Sequence, residues 1–250
     1  MHVVYHERYE EVYTSDPAAA AGRIECIKAT LENCIEFIKP KAASEADLLS
    51  VHSQSHVDWV KQQNLTYEVA VLAVGGALKA SEFAMKKESA FGLIRPPGHH
   101  ASPNSSWGFC YFNNIAIAVE RLRKEGNAAR ALIVDIDLHY GDGTANSFMS
   151  VPEVDYHHVQ GNTRERYLSD LRNILNSQED CDFIALSAGF DRHELDWGGL
   201  LKTEDYQTIG RMIKKYVDEK CDGKVFAVLE GGYNHSVLGE SVKALLLGLK

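Results

Sequence analysis

Residues 131–143 read ALIVDIDLHYGDG. Ala131-Leu132-Ile133-Val134 is a short, continuous apolar run, the pattern of a strand covered on both faces. It runs directly into Asp135-Ile136-Asp137-Leu138-His139, where polar residues alternate with apolar ones. In an extended chain the two-residue repeat puts Asp135, Asp137 and His139 on one face. Three ionisable groups at the end of a buried strand are costly unless a metal or strong partners compensate them. Asp137 and His139, joined by Asp191 from a later strand end, would make a three-ligand site with an open position for water. That is the pattern of catalytic rather than structural zinc, although two carboxylates and one imidazole also suit iron(II) or cobalt. The preference of Asp for turns explains such a run when it stands alone. It does not explain the residues that accompany it here.

The same design recurs along the chain. Val3-Val4-Tyr5, Phe91-Gly92-Leu93-Ile94, Phe183-Ile184-Ala185-Leu186 and Val225-Phe226-Ala227-Val228-Leu229 also read as buried strands. Helical periodicity separates them: Ile24, Ile27, Leu31, Cys34/Ile35 and Ile38, then about 67–87, 112–125, 164–176, Tyr206 to Val217, and 236–248. Helices alternating with buried strands predict an α/β fold, a mostly parallel sheet with helices on both sides. Four of the strands end in Gly-bearing loops with ionisable or phenolic residues: RPPGHH (95–100), DIDLHYGDG (135–143), SAGFD (187–191) and EGGY (230–233). In open parallel sheets the ligand crevice lies at the carboxyl ends of the strands, so these loops are expected to converge.

Pro96 and Pro97 restrict the backbone ahead of His99-His100, and Gly98 allows a sharp turn. Beside a metal-activated water one such histidine can serve as base and another as proton donor, each oriented by a carboxylate. Asp135 and Asp142 are the spare carboxylates. Tyr233 follows two glycines and can donate a hydrogen bond to a developing oxyanion. Gly75-Gly76, in a helical run with no preceding strand, predict close helix packing and not a phosphate loop.

The 250 residues carry 45% hydrophobic and 24% charged residues, the balance of a globular protein with a large core. With no linker-like stretch, residues 1–250 are read as one catalytic domain. Net charge is −9 without a long basic cluster, which argues against a nucleic-acid partner and favours cationic substrates. The five cysteines are scattered, with no CxxC pair, so neither a disulfide framework nor a structural zinc site is expected. His2, His6, Glu7, Arg8, Glu10 and Glu11 stand where a signal peptide would need an apolar stretch and no apolar run reaches membrane-spanning length, so the expected setting is cytoplasmic, without a membrane.

Five ordered strings, RPPGHHA (95–101), GFCYFNN (108–114), DIDLHYGDGTA (135–145), SAGFD (187–191) and LEGGY (229–233), resemble the zinc-dependent histone deacetylase superfamily. That group includes acetylpolyamine amidohydrolases and bacterial and archaeal deacetylase-like proteins. The resemblance implies the three-layer α/β/α arginase-type fold and amide hydrolysis. It makes Asp137, His139 and Asp191 the zinc ligands and His99 and His100 the acid/base pair, oriented by Asp135 and Asp142. Tyr233 would polarise the acyl carbonyl, while Gly108 and Phe109 would line the channel for the substrate's alkyl chain. It further implies a potassium ion beneath the zinc, held by Asp135, Asp137 and His139 partly through backbone carbonyls.

The chain departs from that pattern between Gly143 and Ser187. Val154-Asp155-Tyr156-His157-His158-Val159-Gln160-Gly161-Asn162 stands where the family has a Ser-Leu-His strand end and an aromatic, Pro- and Gly-rich loop. The segment from Trp59 to Tyr67 is short as well. These differences predict an incomplete second channel wall, fewer potassium ligands, and a site open to bulkier acyl groups or completed by a second subunit in a homo-oligomer. His157 and His158 are read as solvent-loop residues. His2, His6, His52, His56, His193 and His235 are read as surface or helix residues, and Tyr140 as a tolerated neighbour of the ligands. The sequence reading is a metal-dependent hydrolase of an acylated amine, with acyl-lysine and acylpolyamine both open. A non-catalytic acyl-lysine or metal-binding protein is a reading from another class. A two-manganese ureohydrolase would need ligand strings that DLHYGD and GFDRHELD do not supply.

Overall fold

The structure is a computed structural model that describes every residue except 33, 34, 127 and 179. Seven strands, β1 (His2–Val4), β2 (Phe37–Ile38), β3 (Ala90–Gly92), β4 (Ala131–Asp135), β5 (Val154–His158), β6 (Phe183–Ala188) and β7 (Val225–Leu229), form one sheet. Its order is β2-β1-β3-β7-β6-β4-β5 and every pairing is parallel. Every residue of β3, β4, β6 and β7 is buried, as strands covered on both faces require. A fully buried Val, Ile or Phe contributes roughly 1.5–3 kcal/mol, so these strands are the stable centre of the molecule.

The helices are α1 (Arg23–Leu31), α2 (Glu45–Leu48), α3 (Gln54–Lys61), α4 (Leu65–Ala84), α5 (Asn114–Lys124), α6 (Asp142–Phe148), α7 (Arg164–Ser177), α8 (Thr203–Lys220) and α9 (His235–Gly248). On one side α1, α9, α8 and α7 pack successively against one another; α4 packs on α5 and against β1, β3 and β7. The result is the expected three-layer α/β/α arrangement. Buried α4 passes so close to its neighbours that a Cβ on Gly75 would lie 1.9 Å from the Lys41 carbonyl oxygen, and one on Gly76 2.5 Å from Ile94 Cγ2. Among the described residues no helix is long and apolar enough to cross a membrane.

The strands whose loops carry the candidate residues, β3, β7, β6 and β4, are consecutive neighbours in the sheet. Because all run parallel, their carboxyl ends open on the same edge. Two edge strands differ from expectation. The first helical pattern, read as far as Ile38, stops at Leu31, and Phe37–Ile38 instead pair with Val3–Val4. Cys34, part of that reading, lies outside the described residues. The 154–158 stretch, read as loop, is β5 and pairs with β4 along its length. Edge strands this short or this polar carry too few apolar positions for periodicity to reveal them.

Candidate active site

Asp137, His139 and Asp191 each aim one ligating atom at a common point, all within 4.8 Å of one another. Backbone amides orient both carboxylates. Asp137 accepts from His139 N at 2.9 Å and Gly231 N at 2.8 Å, and Asp191 Oδ1 accepts from Leu138 N at 2.9 Å. Gly231 is required for this approach, since a Cβ there would lie 2.5 Å from Asp137 Oδ2 and 2.8 Å from Asp191 Oδ2. His139 Nδ1 sits 3.2 Å from Asp137 Oδ1 and 3.1 Å from Asp191 Oδ2. Yet Asp191 Oδ2 is buried without a well-directed hydrogen bond.

The electrostatics call for a cation here. Burial and then the Asp137 charge push the Asp191 carboxyl up to about 7. Burial also opposes the charge on Asp137, but His99 and the hydrogen bonds from His139 hold it below the usual carboxylate range. The carboxylates of Asp137 and then Asp191 raise His139 to about 10, so a proton on its ring supplies the positive charge. An orphaned carboxylate oxygen and two carboxylates sharing one cationic ring fit a divalent metal, which would take the place of that proton.

His99 and His100 lie ring against ring, 4.1 Å between centroids, and each points Nδ1 at a carboxylate. His99 Nδ1 donates to Asp135 Oδ2 at 3.0 Å, and His100 Nδ1 to Asp142 Oδ1 at 2.7 Å. Each Nε2 is thereby left for the cavity side. Their environments push the two rings apart. Burial works against charge on His99, but Asp137 and Asp135 lift it well above its ordinary value. Burial and the charge of His99 lower His100 to about 4. A neutral imidazole beside a cationic one is the division that acid/base chemistry needs.

A cavity of about 180 Å3 joins these groups. His99, His100, Gly108, Phe109, His139 and Tyr233 all line it. Phe109 adopts φ 69°, an unusual conformation for a residue with a Cβ, and its ring meets Tyr233 edge-on at 6.0 Å. Burial raises the Tyr233 phenol, with Asp137 adding to the effect, so it stays a proton donor.

Two tryptophans that sequence reasoning passed over form the rest of the rim. Trp107 stacks on His100 at 3.9 Å and donates Nε1 to Asp142 Oδ2 at 2.9 Å; Trp197 stacks on Tyr233 at 4.1 Å. Both stay half exposed, at 54% and 53%. Each stands before a glycine in a site-bearing loop, Trp107-Gly108 and Trp197-Gly198, and that repetition was the available signal.

Buried polar residues behind the cavity were also missed. Glu230 accepts from Gly98 N at 2.7 Å and His99 N at 3.2 Å, tying β7 to the histidine loop. Arg23 donates to the carbonyls of Gly232 at 2.8 Å and Glu230 at 2.5 Å. His52, His56 and His193, read as surface or helix residues, are each only 3% exposed, and of the three His56 does lie on a helix, α3. His157 and His158 lie on β5 and not in a solvent loop. His158 Nε2 donates to the Asp137 carbonyl at 2.9 Å, and Tyr140 packs edge-on against its ring at 5.7 Å.

The potassium site implied by resemblance does not fit these residues. The Asp135 carbonyl already accepts from Val159 N at 2.9 Å, and Asp137 O accepts from Arg192 Nε at 3.2 Å as well as from His158.

The histone deacetylase domain model matches residues 17–167 and 153–249. A probable deacetylase of Methanothermobacter thermautotrophicus is 31% identical over 92% of this chain and 84% of its own length. The polyamine deacetylase HDAC10 of Danio rerio is 30% identical over 90% of this chain and 39% of its own. The crystal structure of the HDA15 HD domain superposes with a TM-score of 0.86, covering 98% of this chain and 88% of that domain. At 24% identity it is a likeness of fold.

Proposed function

The chain belongs to the histone deacetylase family, and from that membership we propose that it is a zinc-dependent amide hydrolase releasing an acyl group, acetyl first, from an acylated lysine side chain. The observation carrying this reading is that three ligating side chains converge and that one of them, His139, shares a cavity with His100, whose Nδ1 is held by Asp142, and with the Tyr233 phenol. Residues 1–250 are read as one catalytic domain, supported by the reach of buried Arg23 to the 230–232 loop.

Asp137, His139 and Asp191 would hold the zinc. When bound, it supplies Lewis-acid polarisation of the acyl carbonyl and lowers the pKa of a water towards neutrality. His100, its Nδ1–H fixed by Asp142, accepts the water proton at Nε2 as oxygen attacks the acyl carbon. Tyr233 donates to the oxygen on which charge develops. As the C–N bond breaks, His100 passes its proton to the nitrogen, giving a free amine and a carboxylic acid. Charged His99, held on Asp135, stabilises the negative charge of this step. Phe109 and the two rim tryptophans exclude water and flank the substrate's alkyl chain.

An acylated polyamine is the second reading, favoured by the name of the Danio rerio relative; the net charge of −9 suits either cationic amine. Both amines can be tested with zinc-loaded protein on an acetyl-lysine peptide and an N-acetylated polyamine. We expect turnover of the peptide, its loss with a chelator and its return with zinc. Turnover of the polyamine alone replaces the substrate; no turnover of either overturns hydrolysis in favour of binding.

A further inference from the structure

Beneath the metal-ligand loop the chain supplies its own cation. Arg192 directly follows the proposed ligand Asp191, and its guanidinium turns under residues 137–138. Nε donates to the Asp137 carbonyl at 3.2 Å, while Nη2 donates to the carbonyls of Leu138 at 3.3 Å and Val159 at 3.4 Å. The planar head lies 5.0 Å over the ring of Tyr167, whose hydroxyl donates to the Ile136 carbonyl at 3.0 Å. One rigid fork thus joins the ligand loop to the end of β5, with an aromatic face behind it, a role that Arg fills and a point charge does not.

We propose that Arg192 is a tethered replacement for potassium, and that this site is assembled without any monovalent ion. A carbonyl oxygen has two lone pairs. Both on Asp137 are used, one by His158 Nε2 at 2.9 Å and one by Arg192 Nε. On the Asp135 carboxylate Oδ2 is likewise used twice, by His99 Nδ1 at 3.0 Å and the Tyr156 hydroxyl at 2.9 Å, and Oδ1 once, by Asp137 N at 3.0 Å. A bare ion needs several of these lone pairs at once, and those of the Asp137 carbonyl and of Asp135 Oδ2 already point at donors of the chain. The positive charge a potassium ion would bring beneath the ligand loop comes instead from the guanidinium, held on the carbonyls of Asp137, Leu138 and Val159. Arg192 is therefore a positioning residue, acting on the reaction through the ligand loop.

The first test uses metal-free protein, so it does not depend on the metal reading. Thermal midpoints are compared in potassium chloride and choline chloride at equal ionic strength. Equal midpoints are expected for the native chain; a midpoint raised by potassium overturns the proposal. Arg192→Ala should melt several degrees lower and regain part of the loss with potassium or methylguanidinium but not with choline, whereas Arg192→Lys should remain impaired. An Arg192→Ala variant as stable as the native chain and indifferent to both cations also overturns it. The second readout rests on the proposed metal site. Chelator competition should show zinc affinity about tenfold or more lower in Arg192→Ala, the size expected for a group orienting a ligand. Should zinc bind neither protein, the metal reading fails, and the ion comparison still decides the role of Arg192.

Discussion

Two pairs of histidines lie ring against ring in this molecule. His52 and His56 are 4.8 Å apart and His99 and His100 4.1 Å apart, all four nearly inaccessible to solvent. Their partners differ. His52 donates Nδ1 to the Ser102 carbonyl at 3.1 Å and accepts from Asn113 N at 2.9 Å, and His56 Nε2 donates to the Tyr111 carbonyl at 2.8 Å. This pair clamps both ends of the segment that presents Trp107, Gly108 and Phe109. His99 and His100 instead bond carboxylates through one nitrogen and keep the other for the cavity. Burial alone does not mark a histidine for chemistry. A ring bonded to backbone through its nitrogens is a brace, and on the proposed mechanism a ring backed by a carboxylate is the reagent.

The strongest test of that distinction is His100→Ala. Removing the base should lower kcat/KM about 10³-fold, roughly 4 kcal/mol of transition-state stabilisation, with the thermal midpoint nearly unchanged. A comparable fall in stability would place His100 among the braces. Asp142→Asn comes next. It leaves the imidazole in place but weakens the hold on its tautomer, so kcat/KM should fall about 10²-fold, less than in a fully buried triad because Trp107 and solvent also reach Asp142. Unchanged kcat/KM would remove the carboxylate from the argument.

The convergence of the strand-end loops was legible because polar side chains cluster there at the ends of apolar runs: Asp137, His139 and Asp191 come together, and His99, His100 and Tyr233 line one cavity with His139. The central strands were legible because double-sided burial leaves unbroken apolar runs. The braces were not. His52 and His56 sit in a polar string, VHSQSH, and only the distant Ser102, Tyr111 and Asn113 give them a role. Arg23, Glu230 and Arg192 escaped for the same reason, since each binds backbone that its own neighbourhood in the chain does not announce. Long-range bonds between a side chain and an anonymous backbone amide or carbonyl leave no local pattern.

The brace predicts a different phenotype from the reagent. His52→Ala leaves the Ser102 carbonyl and the Asn113 amide without their partner and opens a small void, together about 2 kcal/mol of stability. The thermal midpoint should fall by several degrees, while kcat/KM at low temperature, where the variant is still folded, stays within a few fold of native. Loss of activity as large as that of His100→Ala, with the fold intact, would show that the clamp and the reagent cannot be separated.

The smallest effect is a pH slope. Burial, helped by the neighbouring His56, lowers His52 to about 3 in the folded chain, whereas an exposed imidazole titrates near ~6.5. Above that unfolded value His52 is neutral in both states and contributes no pH dependence. As pH falls from about 6.5 towards 3, the unfolded chain takes up a proton that the folded chain refuses, so stability declines by about 1.4 kcal/mol per pH unit from this ring. His100, lowered to about 4, stays neutral and basic over most of the same window. Between pH 6.5 and 5 the folded state should therefore weaken while His100 remains available. Denaturant titrations of the native chain and His52→Gln across that interval isolate the term, because the other buried histidines contribute equally to both. The variant should show a slope shallower by about one proton; parallel slopes would mean that His52 is already protonated in the fold, and the brace would then carry the charge that separates a reagent from a strut.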